Sequence, residues 1–150
     1  MDRIKFHFLH TNFNLSSRTR LKEFILKIFR EEGFTVQAIN YVFCSDKYLL
    51  GLNKAYLHHN TYTDIITFGL STDSEPIMAD VYISVERVRE NARIFQSNFL
   101  QELYRVLFHG SLHLCGYKDK TKNETRQMRT KEDYYLKLYF VSRETKTQKS

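Results

Sequence analysis

The chain has 150 residues, 42% of them apolar and 15% aromatic, with 23 Lys and Arg against 17 Asp and Glu for a net charge of +6. That is enough apolar material for one core, and two cysteines are too few for a disulfide framework, so a reduced, cytoplasmic protein is expected. The N-terminal MDRIKFHFLH lacks the apolar run of a signal peptide and no segment approaches transmembrane length, so no membrane partner is expected, while the mild positive surplus permits a polyanion such as nucleic acid without requiring one.

IKFHFLH alternates apolar and polar residues (Ile4, Phe6, Phe8) and predicts a first strand. In NLSSRTRLKEFILKIFREEGF, Ser16 or Ser17 can cap a helix with an apolar face of Leu21, Phe24, Ile25, Ile28 and Phe29, and Gly33 ends it. TVQAINYVFCS alternates again as a second strand. DKYLLGLNKAYL reads as a short helix opened by Asp46, with Leu49, Leu52 and Tyr56 inward. TDIITFGL is a third strand, STDSEP a turn and IMADVYIS a fourth strand, and the tight link favours an antiparallel pair.

From Val85 the chain turns helical. SVERVRENARIF predicts one helix, and FLQELYRVLFHGSLHLC a longer one with Leu100, Leu103, Val106, Leu107, Leu112 and Leu114 on its apolar positions. A last helix is expected over 124–139, before a polar tail from about 143. The order predicts a single α+β domain over residues 1–150: a mixed four-stranded sheet packed with about five helices.

The chemistry concentrates in FHGSLHLCGYKD, Phe108 to Asp119. His109 and His113 are i and i+4, so on a helix their side chains lie one turn apart on one face, within reach of one cation. Gly116 stands where helices commonly end at positive φ, and the reversal it allows can swing Asp119 back toward both rings. Two histidines and a carboxylate, with a fourth position open, make up a catalytic zinc site. The same pair also arises on helices that bind nothing, where each histidine is simply packed or half-exposed.

The spacing H-x3-H-x2-G-x2-D resembles that of the metzincin peptidases, whose motif places a Glu after the first histidine as the base that activates water. Here that position is Gly110, which has no proton to take or give, so peptide hydrolysis is disfavoured. A phosphodiester asks less of a dedicated base: a metal can activate water and neutralise charge on the phosphoryl oxygens, and in RNA the neighbouring 2′-hydroxyl can attack instead.

HGSLHLCGYKD resembles the signature of the YbeY family of bacterial rRNA-maturation endoribonucleases, H-G-x-L-H-L-x-G-Y-D-H, with His109, Gly110, Leu112, His113, Leu114, Gly116 and Tyr117 in register. LNKAYLHHNTYTDIITF is similar to the family's L-N-x-x-[YF]-R-x-x-D-x-x-T-[DN]-V-L-[ST]-F, and ADVYIS to its G-D-I-x-I-[SC] strand. The resemblance implies a single-strand-specific, metal-dependent endoribonuclease acting in late 16S rRNA 3′-end maturation and ribosome quality control. Its partners would be ribosomal RNA and ribosomal subunits. It also implies that His109 and His113 are the catalytic metal ligands, holding one Zn2+. The family's third ligand is a histidine; the matching residue is Asp119, which makes a harder His2Asp site more tolerant of other divalent metals.

A second departure falls upstream, where the family's arginine is Leu57 and its acidic residue three positions on is Asn60. An arginine suits a phosphate; His58 and His59 next to it are candidate replacements, or solvated loop residues. Asp64, with Thr63, either orients substrate or holds a turn. Asp80 is a candidate partner for a histidine N–H, or a turn cap, and Cys115 reads as a small buried hydrophobe. From Lys118 onward ten Lys and Arg face five Asp and Glu, a solvated helix face or a guide for an RNA backbone, with Tyr117, Tyr134 or Tyr135 available for base stacking. Two rival readings stand beside the nuclease: a non-catalytic ribosome-assembly factor with a structural metal, which the loss of the arginine at Leu57 favours, and a metallopeptidase.

Overall fold

The structure, a computed structural model, describes residues 2–149, with side chains described over 2–141. Its elements are β1 (Ile4–Leu9), α1 (Arg18–Glu31), β2 (Val36–Cys44), α2 (Asp46–Leu57), β3 (Ile65–Gly69), β4 (Ile77–Ser84), α3 (Val85–Ile94), α4 (Phe99–Leu114) and α5 (Lys122–Lys149). The strands form one mixed sheet in the order β1-β2-β4-β3. β1 and β4 both lie parallel to β2, and β3 pairs antiparallel with β4 from Ile65↔Ile83 to Gly69↔Ala79, as the short 70–76 connection demands. The expected α+β architecture, with a four-stranded mixed sheet and five helices, is the one observed.

Alternation along the strands divides the core between the two faces of the sheet. Ile4, Ile39, Tyr41, Phe43, Val81 and Ile83 join the main cluster with Leu21, Phe24, Ile25, Ile28 and Phe29 of α1 and Leu103, Leu107, Phe108 and Leu112 of α4. Each such side chain, fully buried, contributes roughly 1.5–3 kcal/mol relative to exposure. A smaller cluster of Cys44, Leu49 and Ile66, with Tyr48, Phe68 and Tyr82 around it, lies under α2. Helix α4 is the hub, touching α1, α3, α5, β3 and β4. The buried Tyr41 hydroxyl ties it to the sheet through Ser111 Oγ at 2.6 Å, while Ser111 Oγ itself donates to Leu107 O at 2.9 Å.

Several local expectations shift. Ser17 does take the N-cap position of α1, but with φ 55° and no side-chain cap hydrogen bond. Helix α2 opens at Asp46 as expected, while the capping side chain is that of Ser45, which accepts from Tyr48 N. Asp46 accepts from Arg87 Nη2 at 2.7 Å, joining α2 to α3. Tyr56 and Leu100, expected inward, are 66% and 38% exposed; each sits in a terminal turn of its helix. Helix α5 begins two residues earlier than expected and continues to Lys149; the side chains of the expected polar tail lie outside the described residues.

Candidate metal centre

His109 and His113 stand one turn apart on α4 with their rings edge to face, 4.5 Å between centroids. The helix ends at Leu114. Gly116, at φ 99°, donates its N–H back to His113 O at 3.0 Å, a reversal that a side chain would strain. The following loop returns Asp119 so that its Oδ2 lies 3.2 Å from His109 Nε2 and 3.3 Å from His113 Nε2. All three potential ligand atoms fall within 4.8 Å of one another. Ligand atoms about 2.1 Å from a shared tetrahedral cation lie about 3.4 Å apart, so the observed separations match one small ion.

Hydrogen bonding on the far side of each ring decides what faces that point. His113 Nδ1 lies 2.8 Å from Tyr117 O, and a carbonyl can only accept, so Nδ1 carries the proton. His109 Nδ1 lies 2.6 Å from Glu132 Oε2, again a donor to an acceptor. In the neutral rings both Nε2 atoms are then lone pairs aimed at a carboxylate oxygen. Three acceptors converging with no hydrogen between them fit a cation, and they do so with the outer hydrogen bonds that orient metal-binding imidazoles.

The sequence pattern did not single out Glu132. It reaches the site from α5, 4% exposed, and also accepts from Arg105 Nη1 at 2.8 Å, while Arg105 Nη2 donates to Asp133 at 2.7 Å. Burial works against a charge on His109, but the hydrogen bond and charge of Glu132, with Asp119 and Asp64 beyond, outweigh it and raise the pKa above the ordinary 6.5. A cavity of about 780 Å³ opens on this wall, lined by His109, Asp119, Asp64, Glu102 and Glu132 and by cationic residues of the loop and of α5. Burial also pushes the carboxyl of Asp64 upward, against the pull of His109.

Gly110 has a packing reason to be glycine. A Cβ there would meet Ile65 Cδ1 at 2.6 Å and Val81 Cγ1 at 3.3 Å, so α4 sits directly on β3 and β4 at this residue. Position 110 therefore points into the sheet, and the glutamate of a peptidase motif would be driven into the core rather than toward the ligands.

A family model described as Endoribonuclease YbeY matches residues 7–139. The chain belongs to the YbeY family. Curated relatives named Endoribonuclease YbeY include one from Flavobacterium psychrophilum, 46% identical over 87% of this chain and 92% of its own length. Another, from Cytophaga hutchinsonii, is 45% identical over 85% of this chain and 90% of its own. The solution structure of TM1509 from Thermotoga maritima aligns with 97% of this chain and 95% of that one, with a TM-score of 0.64 and 25% identity.

Set against the YbeY signature, His109, His113 and Asp119 are brought together and Asp64 lines the same cavity. His58 and His59, by contrast, are exposed at the C-terminal end of α2 and do not line it. Leu57 and Asn60 are exposed too. Thr63 Oγ1 donates to Ile65 O at 3.4 Å and holds the turn into β3. Asp80 is no partner for the site histidines: it alternates with Val81, faces away from α4 and accepts from Asn40 Nδ2 at 3.0 Å. Cys115 is half-buried against the core, with its thiol pushed up to about 12 by burial. Of the tyrosines considered for stacking, Tyr135 is buried and Tyr117 is half-buried, both donating to Glu32, while Tyr134 is 51% exposed. No helix among the described residues is long and apolar enough to cross a membrane.

Proposed function

We infer that this chain is a metal-dependent endoribonuclease that cuts single-stranded ribosomal RNA, in late maturation of the 3′ end of 16S rRNA and in ribosome quality control. Ribosomal subunits are its partners and the cytoplasm its compartment. The observation that carries the reading is the convergence of His109 Nε2, His113 Nε2 and Asp119 Oδ2 within 4.8 Å of one another, beside an open cavity that His109 and Asp119 line. Zn2+ suits two imidazoles and one carboxylate, and the oxygen donor widens the tolerance to other divalent ions.

A bound divalent cation supplies Lewis acidity to the phosphodiester. The protein does the positioning. Glu132 and Tyr117 O hold protons on the Nδ1 atoms of His109 and His113, which keeps both Nε2 atoms free to bind. Asp64, with its proton affinity raised by burial, suits proton transfer to or from an oxygen of the scissile bond. Gly110 lets α4 approach the sheet closely enough to set the ligand pair at the cavity edge.

The rival, a non-catalytic assembly factor with a structural metal, draws support from the exposed, uncharged Leu57. A nuclease assay on metal-stripped and reconstituted protein separates the two. Cleavage of single-stranded RNA that returns with metal, and is lost in folded His113→Ala, supports the nuclease. Binding without cleavage under every metal tested would leave only the assembly role.

A further inference from the structure

The cavity beside the metal ligands is divided by charge. Its acidic members are partly sheltered or face the histidines: Glu132 is buried, Asp64 and Glu102 are half-buried, and Asp119 faces the histidines. Its cationic members lie at the rim. Arg105 is committed to Glu132 and Asp133, but Lys120, Lys122 and Arg126 have no ion-pair partner among the described residues, and Arg129 approaches Glu132 no closer than 3.9 Å. All four are exposed.

Three of these cations share a line. Positions 122, 126 and 129 fall at i, i+4 and i+7 on α5, one face of the helix, and span about 10 Å of its axis. The line is also fixed in register with the third ligand. Thr121 and Glu124 close a reciprocal capping pair at the start of α5, with Thr121 N to Glu124 Oε1 at 2.9 Å and Glu124 N to Thr121 Oγ1 at 3.1 Å. Thr125 Oγ1, on the same turn, donates to the Asp119 carbonyl at 3.0 Å. The loop that presents the metal ligand and the helix that presents the cations are thus bound to each other.

We propose that Lys122, Arg126 and Arg129 form a phosphate rail, on which the backbone of a single-stranded RNA lies as it enters the metal centre. This rests on the nuclease reading and adds the path of the substrate to it. Charges strung along a helix face suit successive phosphates of a polyanion better than one small anion, which needs donors that converge. The side chains reach backbone rather than base edges, so the rail reads no sequence.

The test is fluorescence anisotropy of a labelled single-stranded RNA on metal-free protein, where nothing is cut, over a series of salt concentrations. Three phosphate contacts contribute a slope of about −2 in log affinity against log salt. The combined Lys122→Gln, Arg126→Gln, Arg129→Gln variant is expected to bind at least tenfold more weakly and to lose about 2 units of that slope. It should still take up one equivalent of zinc. A control with Lys5→Gln, Lys47→Gln and Lys54→Gln, equal in charge but outside the cavity, is expected to bind like the parent. Unchanged affinity in the rail variant, an equal loss in the control, or a nucleoside monophosphate competing as well as the oligonucleotide would each overturn the rail. Cleavage assays on the same proteins keep the two readings apart. A parent that binds in this way but cuts no RNA when reloaded with metal sinks the nuclease and leaves the rail. A variant that cuts with unchanged KM sinks the rail and leaves the nuclease.

Discussion

Glu132 Oε2 lies 2.6 Å from His109 Nδ1, so a carboxylate on α5 sets the tautomer of a candidate ligand on α4, 23 residues earlier in the chain. Removing such a partner typically lowers metal affinity by about 10- to 100-fold. Glu132→Ala is expected near the upper end of that range, since it also leaves Arg105 with Asp133 alone. Glu132→Gln, which keeps an acceptor for Nδ1, should fall near the lower end. Zinc titration calorimetry on folded protein measures both, and 15N shifts of the His109 ring report the tautomer directly. Parent-like affinity in the alanine variant would remove Glu132 from the site.

If His109 holds the metal as proposed, its raised pKa gives binding a definite pH dependence. A ligand ring must lose its proton, so the proton competes with the ion at pH values above the ordinary 6.5. In the metal-free protein the sign is opposite. A group whose folded pKa is raised stabilises the fold fully below its unfolded value, and that contribution is lost as pH rises through the folded value. Metal-free protein therefore gains from His109 on acidification while the loaded protein loses its ion. The gap in Tm between loaded and stripped protein is expected to narrow from pH 8 to pH 6 by calorimetry. A gap that stays constant would mean His109 binds no metal.

Alternation and helical period made the sheet and helices legible because each element is amphipathic by itself. Leu21, Phe24, Ile25, Ile28 and Phe29 announce α1, and all five are buried. The candidate ligand trio was legible for the same reason: His109 and His113 obey one helix turn, and Gly116 marks the termination that returns Asp119 to them. Tyr56 and Leu100 misled because period reports a helix face and not how far that face stays covered into the terminal turns. Glu132 escaped because its role arises only when α5 docks on α4, and it sits in KEDYY, which reads as a solvated face. One signal was present. Met128, Glu132, Tyr135, Leu136 and Tyr139 form a buried stripe at helical spacing, interrupted by one carboxylate. A charge at a position the period marks as buried demands a partner.

Position 110 tests the contact between α4 and the sheet. Gly110→Ala gains about 1 kcal/mol of helix propensity against about 1–3 kcal/mol of overpacking at Ile65 and Val81. Ile65 Cδ1 is a side-chain tip that can rotate aside, so the net loss is expected below about 2 kcal/mol. Gly110→Glu forces a carboxylate into the same contact and should cost more than about 3 kcal/mol, enough to be seen as a large fall in Tm. A glutamate variant as stable as the parent would place this position in the cavity, where a peptidase base would stand.

Asp119 tolerates a larger donor because it is on a loop and its side chain is 41% exposed. Asp119→His is expected to retain one equivalent of zinc, and to prefer zinc over manganese more strongly than the parent, as nitrogen replaces oxygen. Asp119→Ala should lose bound zinc on dialysis. Elemental analysis of the folded variants checks both, and loss of metal from the histidine variant would show that the loop does not supply the third ligand.

Glu32 anchors His113 through Tyr117. It accepts from Tyr117 at 2.7 Å, from Lys131 at 3.2 Å and from the buried Tyr135 hydroxyl, and Tyr117 in turn offers its carbonyl to His113 Nδ1. Partial burial opposes the Glu32 charge, but the hydrogen bonds of Tyr135, Tyr117 and Lys131 win and hold its pKa below the ordinary 4.5. Such a group stabilises the fold above its unfolded pKa and loses that contribution as pH falls through the folded one. Glu32→Ala leaves Tyr135 O–H buried without this acceptor, a loss of about 1–3 kcal/mol at pH 7 by urea denaturation. The deficit should shrink as pH falls below the ordinary 4.5 and through the lowered folded pKa of the parent's carboxylate. A deficit equal at pH 7 and pH 3 would show that Glu32 acts by packing and not by charge.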